Sequence, residues 1–522
     1  MDPFNSYDAV PYWGNPYRES HPDQLAAMAR LFGLTPPDVD HSRVLELGCS
    51  SGANLIPMAV TIPGATFLGV DLSLRQIDEG QKMIAALGLK NVELQHASID
   101  TISDAHGHFD YIICHGVYSW VPRNIQDHIL RICNKNLSPQ GVAYVSYNTY
   151  PGWFMRGMVR RMMKFHARQF NDPRIQLEQA RALLDFLFTA SSGVDPAYHT
   201  LLSRELNILK QCDDSYIYHE HLEDDNEPLF FHEFIKRAEV EGLRYLAEPH
   251  LSEMVPVNVP SEIANVLGQV GPDIVEFEQY LDFLKNRTFR RTLLCHADQI
   301  PDRQIGPARL AEFRVASTLK RSGEGSDLYD TAAWEFTTGS DTVAVTSPVH
   351  KAALTVLEQI WPDSMICTDL VMAVQLLLDS VTDGKESIRT DRIVIGEFVL
   401  QMYLRQFFEI STSTPRFQSV VPERPNASPY ARLQAKAGSI VTNLKHQRVQ
   451  LGALDHELLC YLDGERTHQE LNTLLNTAIV TGRLTIQNDS GPIPTDERTI
   501  ALTTELLKHG LSNLARQALL MP

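Results

Sequence analysis

Basic residues are scarce in this chain of 522 residues: 46 lysines and arginines stand against 64 aspartates and glutamates, a net charge of -18. Neutralising phosphates needs basic surface, so this balance argues against nucleic acid as the main partner. No apolar run approaches the length of a membrane span, which excludes helical insertion into a bilayer. The opening Met-Asp-Pro-Phe-Asn-Ser-Tyr-Asp has no basic start and no apolar segment, so it does not read as a signal peptide. Cysteine is sparse: Cys49, Cys114, Cys133, Cys212, Cys295, Cys367 and Cys460 include no C-x-x-C pair. A zinc cage is therefore disfavoured, and the odd, dispersed set reads as reduced thiols in a cytoplasmic protein. The one basic cluster, Arg156, Arg160, Arg161 and Lys164, reads as a solvated helix face.

An apolar content of 43% with 21% charged residues is that of a globular protein, and the length predicts two to four domains. Residues 43–52, Arg-Val-Leu-Glu-Leu-Gly-Cys-Ser-Ser-Gly, form the most informative stretch. A short apolar strand enters a glycine turn that opens a helix, the layout of a nucleotide-type cofactor site. Gly48 lets the backbone approach a ligand because no Cβ blocks it. Ser50 stands where a dinucleotide loop has its middle glycine, so a pyrophosphate fits poorly. Further strands are expected at 66–70, 92–95, 109–114 and 142–147, alternating with helices at 73–87 and 125–134. That order predicts an α/β fold, a doubly wound Rossmann-like sheet. Residues 152–215 read as amphipathic helices without a strand, and short strands near 242–246 and 289–295 complete the sheet. Beyond Asp302, two mainly α, winged-helix-like modules follow, separated by a Pro/Ser/Asn-rich linker at 419–429.

Ligands of such sheets sit at the carboxyl ends of the strands. These ends are Glu46–Gly52, Asp71, His96–Ile99 and Cys114–Trp120. A carboxylate at Asp71 can accept two hydrogen bonds from ribose hydroxyls and would repel a 2′-phosphate. Glu46 has two readings: it organises its loop, or it attracts a cationic part of the cofactor.

The segment Leu45–Leu55 looks like motif I of class I S-adenosylmethionine (SAM) methyltransferases. The segments Phe109–Pro122 and Tyr144–Trp153, with Tyr218–Glu223 and Pro228–Phe234, resemble bacterial protein lysine methyltransferases of the rickettsial type, which carry a methyltransferase regulatory domain. The resemblance covers most of 5–300 and, more weakly, the C-terminal portion. It implies a class I methyltransferase core at 1–165, a helical insertion at 166–227, completion of the core sheet with the regulatory region at 228–300, and winged-helix-like domains at 305–420 and 430–522. It implies SAM as cofactor, held by Glu46, Gly48, Cys49, Gly52, Asp71, Leu72, Ser98, Ile99 and Cys114. Ala97 stands where many relatives carry an acidic adenine-binding residue, which moves adenine recognition to the backbone near Ser98 and Ile99.

The acceptor it implies is a lysine-bearing protein. The aromatic residues after the fourth and fifth strands have two readings. Tyr118 and Tyr147 either wall the acceptor or anchor loops from the core, and the same choice holds for Trp120 and Trp153, with Asn148 beside them. His115 is either a proton shuttle or a structural hydrogen-bonder. The run Tyr218–Asp225, with His219, His221 and nearby His232, is open between a structural turn, an acidic lip for lysine and a metal site; methyl transfer to an amine needs no metal, and none is assigned. Tyr7, Pro11 and Tyr12 are either a lid over the cofactor or a cover for the sheet. The C-terminal module suits protein recognition or formation of a homodimer better than DNA binding, given the acidic balance. The rival functions are methylation of a small molecule or modified peptide, and SAM binding without catalysis.

Overall fold

The computed structural model describes residues 10, 14–256, 259–323, 327–381, 388–485, 487–488, 491–492 and 497–522. Tyr7, Pro11 and Tyr12 lie outside them. The chain divides into two compact units, one drawn from Met1–Asn15, Leu34–Leu55 and Gly64–Pro301, the other from Pro16–Gly33, Ile56–Pro63 and Asp302–Pro522.

The first unit is built on a seven-stranded sheet: β1 Arg43–Leu47, β2 Thr66–Asp71, β3 Val92–His96, β4 Phe109–Cys114, β5 Leu137–Asn148, β6 Leu243–Ala247 and β7 Phe289–His296. Their spatial order is 3-2-1-4-5-7-6. The first five strands are parallel, and β7 runs antiparallel to both β5 and β6. Helical crossovers cover both faces, which is why β1, β4 and most of β5 are buried along their length rather than in alternation. The sequence places β5 at 142–147, but it begins five residues earlier. Phe109 pairs with Leu137 and Tyr111 with Val142, so residues 138–141 bulge out of the ladder. A Cβ on Gly141 would lie 2.8 Å from the Asp110 carbonyl oxygen, so only glycine lets the strand resume there.

Between β5 and β6 lie the helices Trp153–Ala167, Pro173–Ser191, Pro196–Gln211 and Asp214–His221. They share a core of Val159, Met163, Leu177, Ala180, Leu184, Leu202, Leu206, Leu209 and Ile217. The Phe231–Val240 helix then precedes β6.

In the second unit, the segment 314–411 contains the strands Arg314–Ser317, Lys320–Ser322, Trp334–Thr338, Asp341–Val345, Met365–Ile366 and Phe408–Ser411. Its helices are Pro348–Ile360, Cys367–Ser380 and Arg392–Leu404. The sequence shows the three helices and the strands near 342 and 408 and misses the other four strands. Residues 426–427 are not linker: Ala427 is fully buried, and the two form bridges to Asp463 and Leu520. The Pro22–Leu31 helix packs in this unit rather than with the N-terminal sheet. Leu25, Ala26, Ala27, Met28 and Ala29 are buried, and Asp23 Oδ1 accepts from the Thr412 and Ser413 amides.

Candidate functional site

Because β1 to β5 are parallel, their carboxyl ends fall on one edge of the sheet, and the loops after them build the site. The loop after β1 holds Gly48, Ser50 and Gly52 at positive φ (77°, 52° and 72°). Ser50 is the one residue there with a side chain, and a carboxylate stabilises its geometry. The Ser50 amide donates to Asp71 Oδ2 at 2.8 Å, while the Ser73 amide donates to Asp71 Oδ1 at 2.8 Å. Asp71 therefore clamps the loop after β1 to its own turn. The next helix, Leu74–Leu87, is capped by Ser73 Oγ, which accepts from the Gln76 amide.

Glu46 is 3% exposed. Its Oε1 accepts from Asn54 Nδ2 at 2.8 Å, and its Oε2 is buried with no hydrogen-bond partner among the described residues, as is Ser50 Oγ. Burial, more than the neighbouring Asp71 charge, pushes the Glu46 carboxyl up to about 8. A buried acid with one unmet oxygen is a site prepared for a cation or a donor.

The other predicted cofactor residues line the same edge. Leu72 is 56% exposed just after Asp71, an apolar surface available to a flat ring. Ser98 and Ile99 follow β3, where the Ala97 amide donates to the Asp71 carbonyl at 3.0 Å. Cys49 and Cys114 are buried, and desolvation raises both thiols well above the usual range, so neither is a thiolate.

Tyr144, Ser146 and Asn148 share one face of β5 by strand alternation, and they fix the loop after β4. The Tyr144 hydroxyl lies 2.8 Å from His115 Nδ1, Ser146 Oγ accepts from the Gly116 amide at 2.7 Å, and the Asn148 amide donates to Ser119 Oγ at 2.9 Å. His115 is thus positioned by Tyr144. Tyr144 and Ser146 escaped the sequence reading because nothing in their spacing marks which face of a fully buried strand meets the loop.

The expected aromatic wall is a correction. Tyr147 is 1% exposed and Tyr118 is fully buried. Tyr147 lies on the opposite face of β5 from Tyr144. Its ring stacks on Phe234 with centroids 4.0 Å apart, and its hydroxyl sits 3.1 Å from Thr292 Oγ1. Tyr118 meets the same Phe234 edge to face at 5.2 Å. Both rings are core under the Phe231–Val240 helix. Trp153 is buried too and meets the half-buried Trp120 edge to face at 6.1 Å.

The histidine-rich run is helix rather than turn as far as His221. His219 and His221, two positions apart on that helix, point to different sides. His219 is held between Glu223 Oε1 at 2.8 Å and the Val10 carbonyl at 2.6 Å, while His232 lies 2.8 Å from Gln279 Oε1. Among the described residues no group of three His, Cys, Asp or Glu side chains converges on a metal position. The basic cluster is not a solvated face either: Arg160 is buried, and Lys164 donates to the Glu223 carbonyl and to Asp224.

Three family models match the chain: a methyltransferase domain at residues 44–141, a predicted methyltransferase regulatory domain at 213–296, and the PKMT C-terminal winged helix domain at 423–519. An uncharacterized protein of Rickettsia prowazekii is 36% identical over 503 residues, covering 94% of this chain and 89% of that protein. A second uncharacterized protein of the same organism is 41% identical over 241 residues, 46% of this chain and 96% of its own length. The structure of PKMT2 from Rickettsia typhi in complex with AdoHcy matches with a TM-score of 0.87 at 31% identity, covering 98% of this chain and all of that one.

Proposed function

Because this chain belongs to the rickettsial PKMT family of class I SAM-dependent methyltransferases, we propose that it transfers methyl groups to lysine side chains of a protein. The observation that carries this reading is the match to PKMT2 along nearly the whole chain, winged helix included. SAM supplies a methyl group on a positively charged sulfur. The residues present fit it: the loop after β1 turns on left-handed backbone at the cofactor edge, the Asp71 carboxylate ends β2 where it would meet a ribose, Leu72 offers a surface to adenine, and the buried Glu46 Oε2 would meet a cation or a donor.

The protein's contribution to the reaction is alignment and desolvation. A free lysine amine, with a pKa of about 10.4, is almost wholly protonated at neutral pH, so the site must bind it and remove a proton before transfer. Incubation of the protein with tritiated SAM and a cell lysate tests the reading. Label is expected in protein, in a form stable to alkali, as N-methyl groups are and carboxyl methyl esters are not. Label confined to small molecules would overturn the lysine acceptor, and bound SAM with no label anywhere would overturn catalysis.

Glu46 gives a second expectation. Its folded carboxyl is raised from 4.5 to about 8, so its contribution to stability is full below 4.5 and is lost as pH climbs through 8. Glu46→Gln should therefore melt like the wild type at pH 5 and higher than it at pH 9. A bound sulfonium favours the ionised carboxylate, so SAM binding near pH 7 should release protons from the wild type and none from the variant. Calorimetry in buffers of different ionisation enthalpy reads that difference; equal proton release would remove Glu46 from the cofactor site.

A further inference from the structure

The carboxyl end of β5 leads into an open aromatic surface. Beyond Asn148 the chain turns through Tyr150 into the Trp153–Ala167 helix, and the Tyr150 and Phe154 rings stack with centroids 4.1 Å apart. Phe230, just ahead of the Phe231–Val240 helix, lies 5.3 Å from Tyr150 and 6.1 Å from Phe154. The Ile274–Lys285 helix adds Phe283, edge to face with Phe230 at 6.0 Å, and Tyr280, 5.9 Å from Phe283. Phe154, Phe283 and Tyr280 are 58%, 47% and 40% exposed, while Tyr150 and Phe230 are half-buried. Rings from three separate stretches of chain thus form one apolar shelf. A contiguous exposed patch of this kind marks an interaction surface, and aromatic side chains are enriched in such surfaces.

The shelf is continuous with the cofactor edge of the sheet. β7 runs antiparallel to β5, so its first residue, Phe289, pairs with Asn148 at the end where the cofactor loops stand. The exposed Phe289 ring lies 6.1 Å from His115. Two residues on from His115, Val117 packs so closely on the loop after β1 that a Cβ on Gly48 would lie 2.4 Å from its Cγ2. The Thr149 amide donates to the Thr288 carbonyl at 3.0 Å and the Gly152 amide to the Arg287 carbonyl at 2.9 Å, which holds the Tyr150 turn beside Phe289. Acid borders the shelf. The exposed Glu233 carboxylate accepts from the Phe230 amide at 3.1 Å, and the exposed Glu276 shares one helix face with Tyr280 and Phe283. Lys285 and Arg287 both donate to the Glu253 carbonyl, and the charge of Arg161 at Tyr150 is opposed by Glu233 and Glu227.

We propose that this shelf seats the residues flanking the acceptor lysine, so that the partner is an extended segment of protein with apolar side chains next to a lysine. The inference rests on the lysine reading above. Flat, open rings suit a protein segment, whereas a small molecule would need a concavity that encloses most of its surface. Apolar flanks leave water against the rings. A lysine among them meets ring faces and the bordering carboxylates, both of which attract a cation. An extended segment advances about 3.3 Å per residue, so one lying on the shelf carries its lysine past Phe289 toward the loop after β1 within a few residues.

Two acceptors read the shelf with tritiated SAM at saturation: poly-L-lysine, and a random copolymer of lysine and phenylalanine. Per lysine, the wild-type KM should be about tenfold lower for the copolymer. The shelf binds ground state and transition state alike, so Phe154→Ala with Phe283→Ala should raise the copolymer KM about tenfold and leave kcat within about twofold. The same variant should bind SAM as the wild type does, and its two KM values should converge. Phe154→Tyr with Phe283→Tyr keeps the rings and should keep the preference. A preference that survives the alanine pair would overturn the shelf and leave the lysine reading standing. A wild type that labels neither polymer, while labelling small molecules from a lysate, would overturn both. A wild type that is dimeric by light scattering and monomeric in the alanine variant would give the shelf to a second copy of this chain and overturn its acceptor role.

Discussion

Asp71→Ala should weaken SAM binding about 100-fold or more and also lower the melting temperature of the protein. Both effects follow from one carboxylate at the edge of the sheet. In the wild type it accepts the Ser50 and Ser73 amides, each at 2.8 Å, and so ties the left-handed turn after β1 to the turn after β2. Hydrogen bonds to a charged acceptor contribute about 1.5–3 kcal/mol each. In the variant, Ser50 at φ 52° loses its restraint, and an L-residue in that region relaxes readily. The cofactor would then pay to reorder the loop and would lose the proposed ribose contacts together. Calorimetric titration with SAM measures the first effect and thermal unfolding the second. Affinity within threefold of the wild type would remove Asp71 from the site.

Arg290→Met should destabilise the first unit by about 3–5 kcal/mol, the cost of breaking a buried ion cluster by removing one partner. Arg290 is fully buried on β7, and its guanidinium pairs with Glu248 at 2.8 Å, Glu278 at 2.9 Å and Asp282 at 2.8 Å, all fully buried. The Phe231 ring lies 3.7 Å from its Cζ, so methionine fills the apolar contact while leaving the three acids without their cation. Arg287 reaches only Asp282 among them, at 3.2 Å. The loss should depend on pH. Burial already raises Glu278 from 4.5 to about 7 in the wild type, so its stabilising contribution is present below 4.5 and fades as pH rises through 7. Without Arg290 the acids can fold only by taking up protons, so the variant should fall further below the wild type at pH 8 than at pH 5. Urea unfolding at the two pH values tests this; equal stability at pH 8 would show that the cluster is not under electrostatic strain.

The sheet and its cofactor loop were largely legible in the amino acids, because both are written in local signals. Motif I needs glycine at 48 and 52 for left-handed backbone, and Asp71 stands at the end of an apolar run. The family match over nearly the whole chain supports the SAM reading of those residues. The acceptor side was misread for a specific reason. β5 is buried on both faces, so its apolar pattern does not say which residues look toward the loop after β4. Tyr147 looked like a rim residue because it sits near a strand end. It points instead at Phe234, 87 residues away in sequence, a partner no local pattern announces. The paired indoles were hidden likewise, since the neighbouring Arg156 and Arg160 have the helical spacing of an ordinary wet surface.

The position of β7 bears on how the protein is made. It lies between β5 and β6 in the sheet but comes last in the chain, so β5 keeps one bare ladder edge until residue 296 has been synthesised. At ordinary ribosomal speeds that wait is roughly 7–30 s. Bare edges of apolar strands recruit other chains. The four helices that emerge directly after β5 are the first material available to shield it. Shortening them should therefore lower the soluble yield before it alters any property of the finished protein.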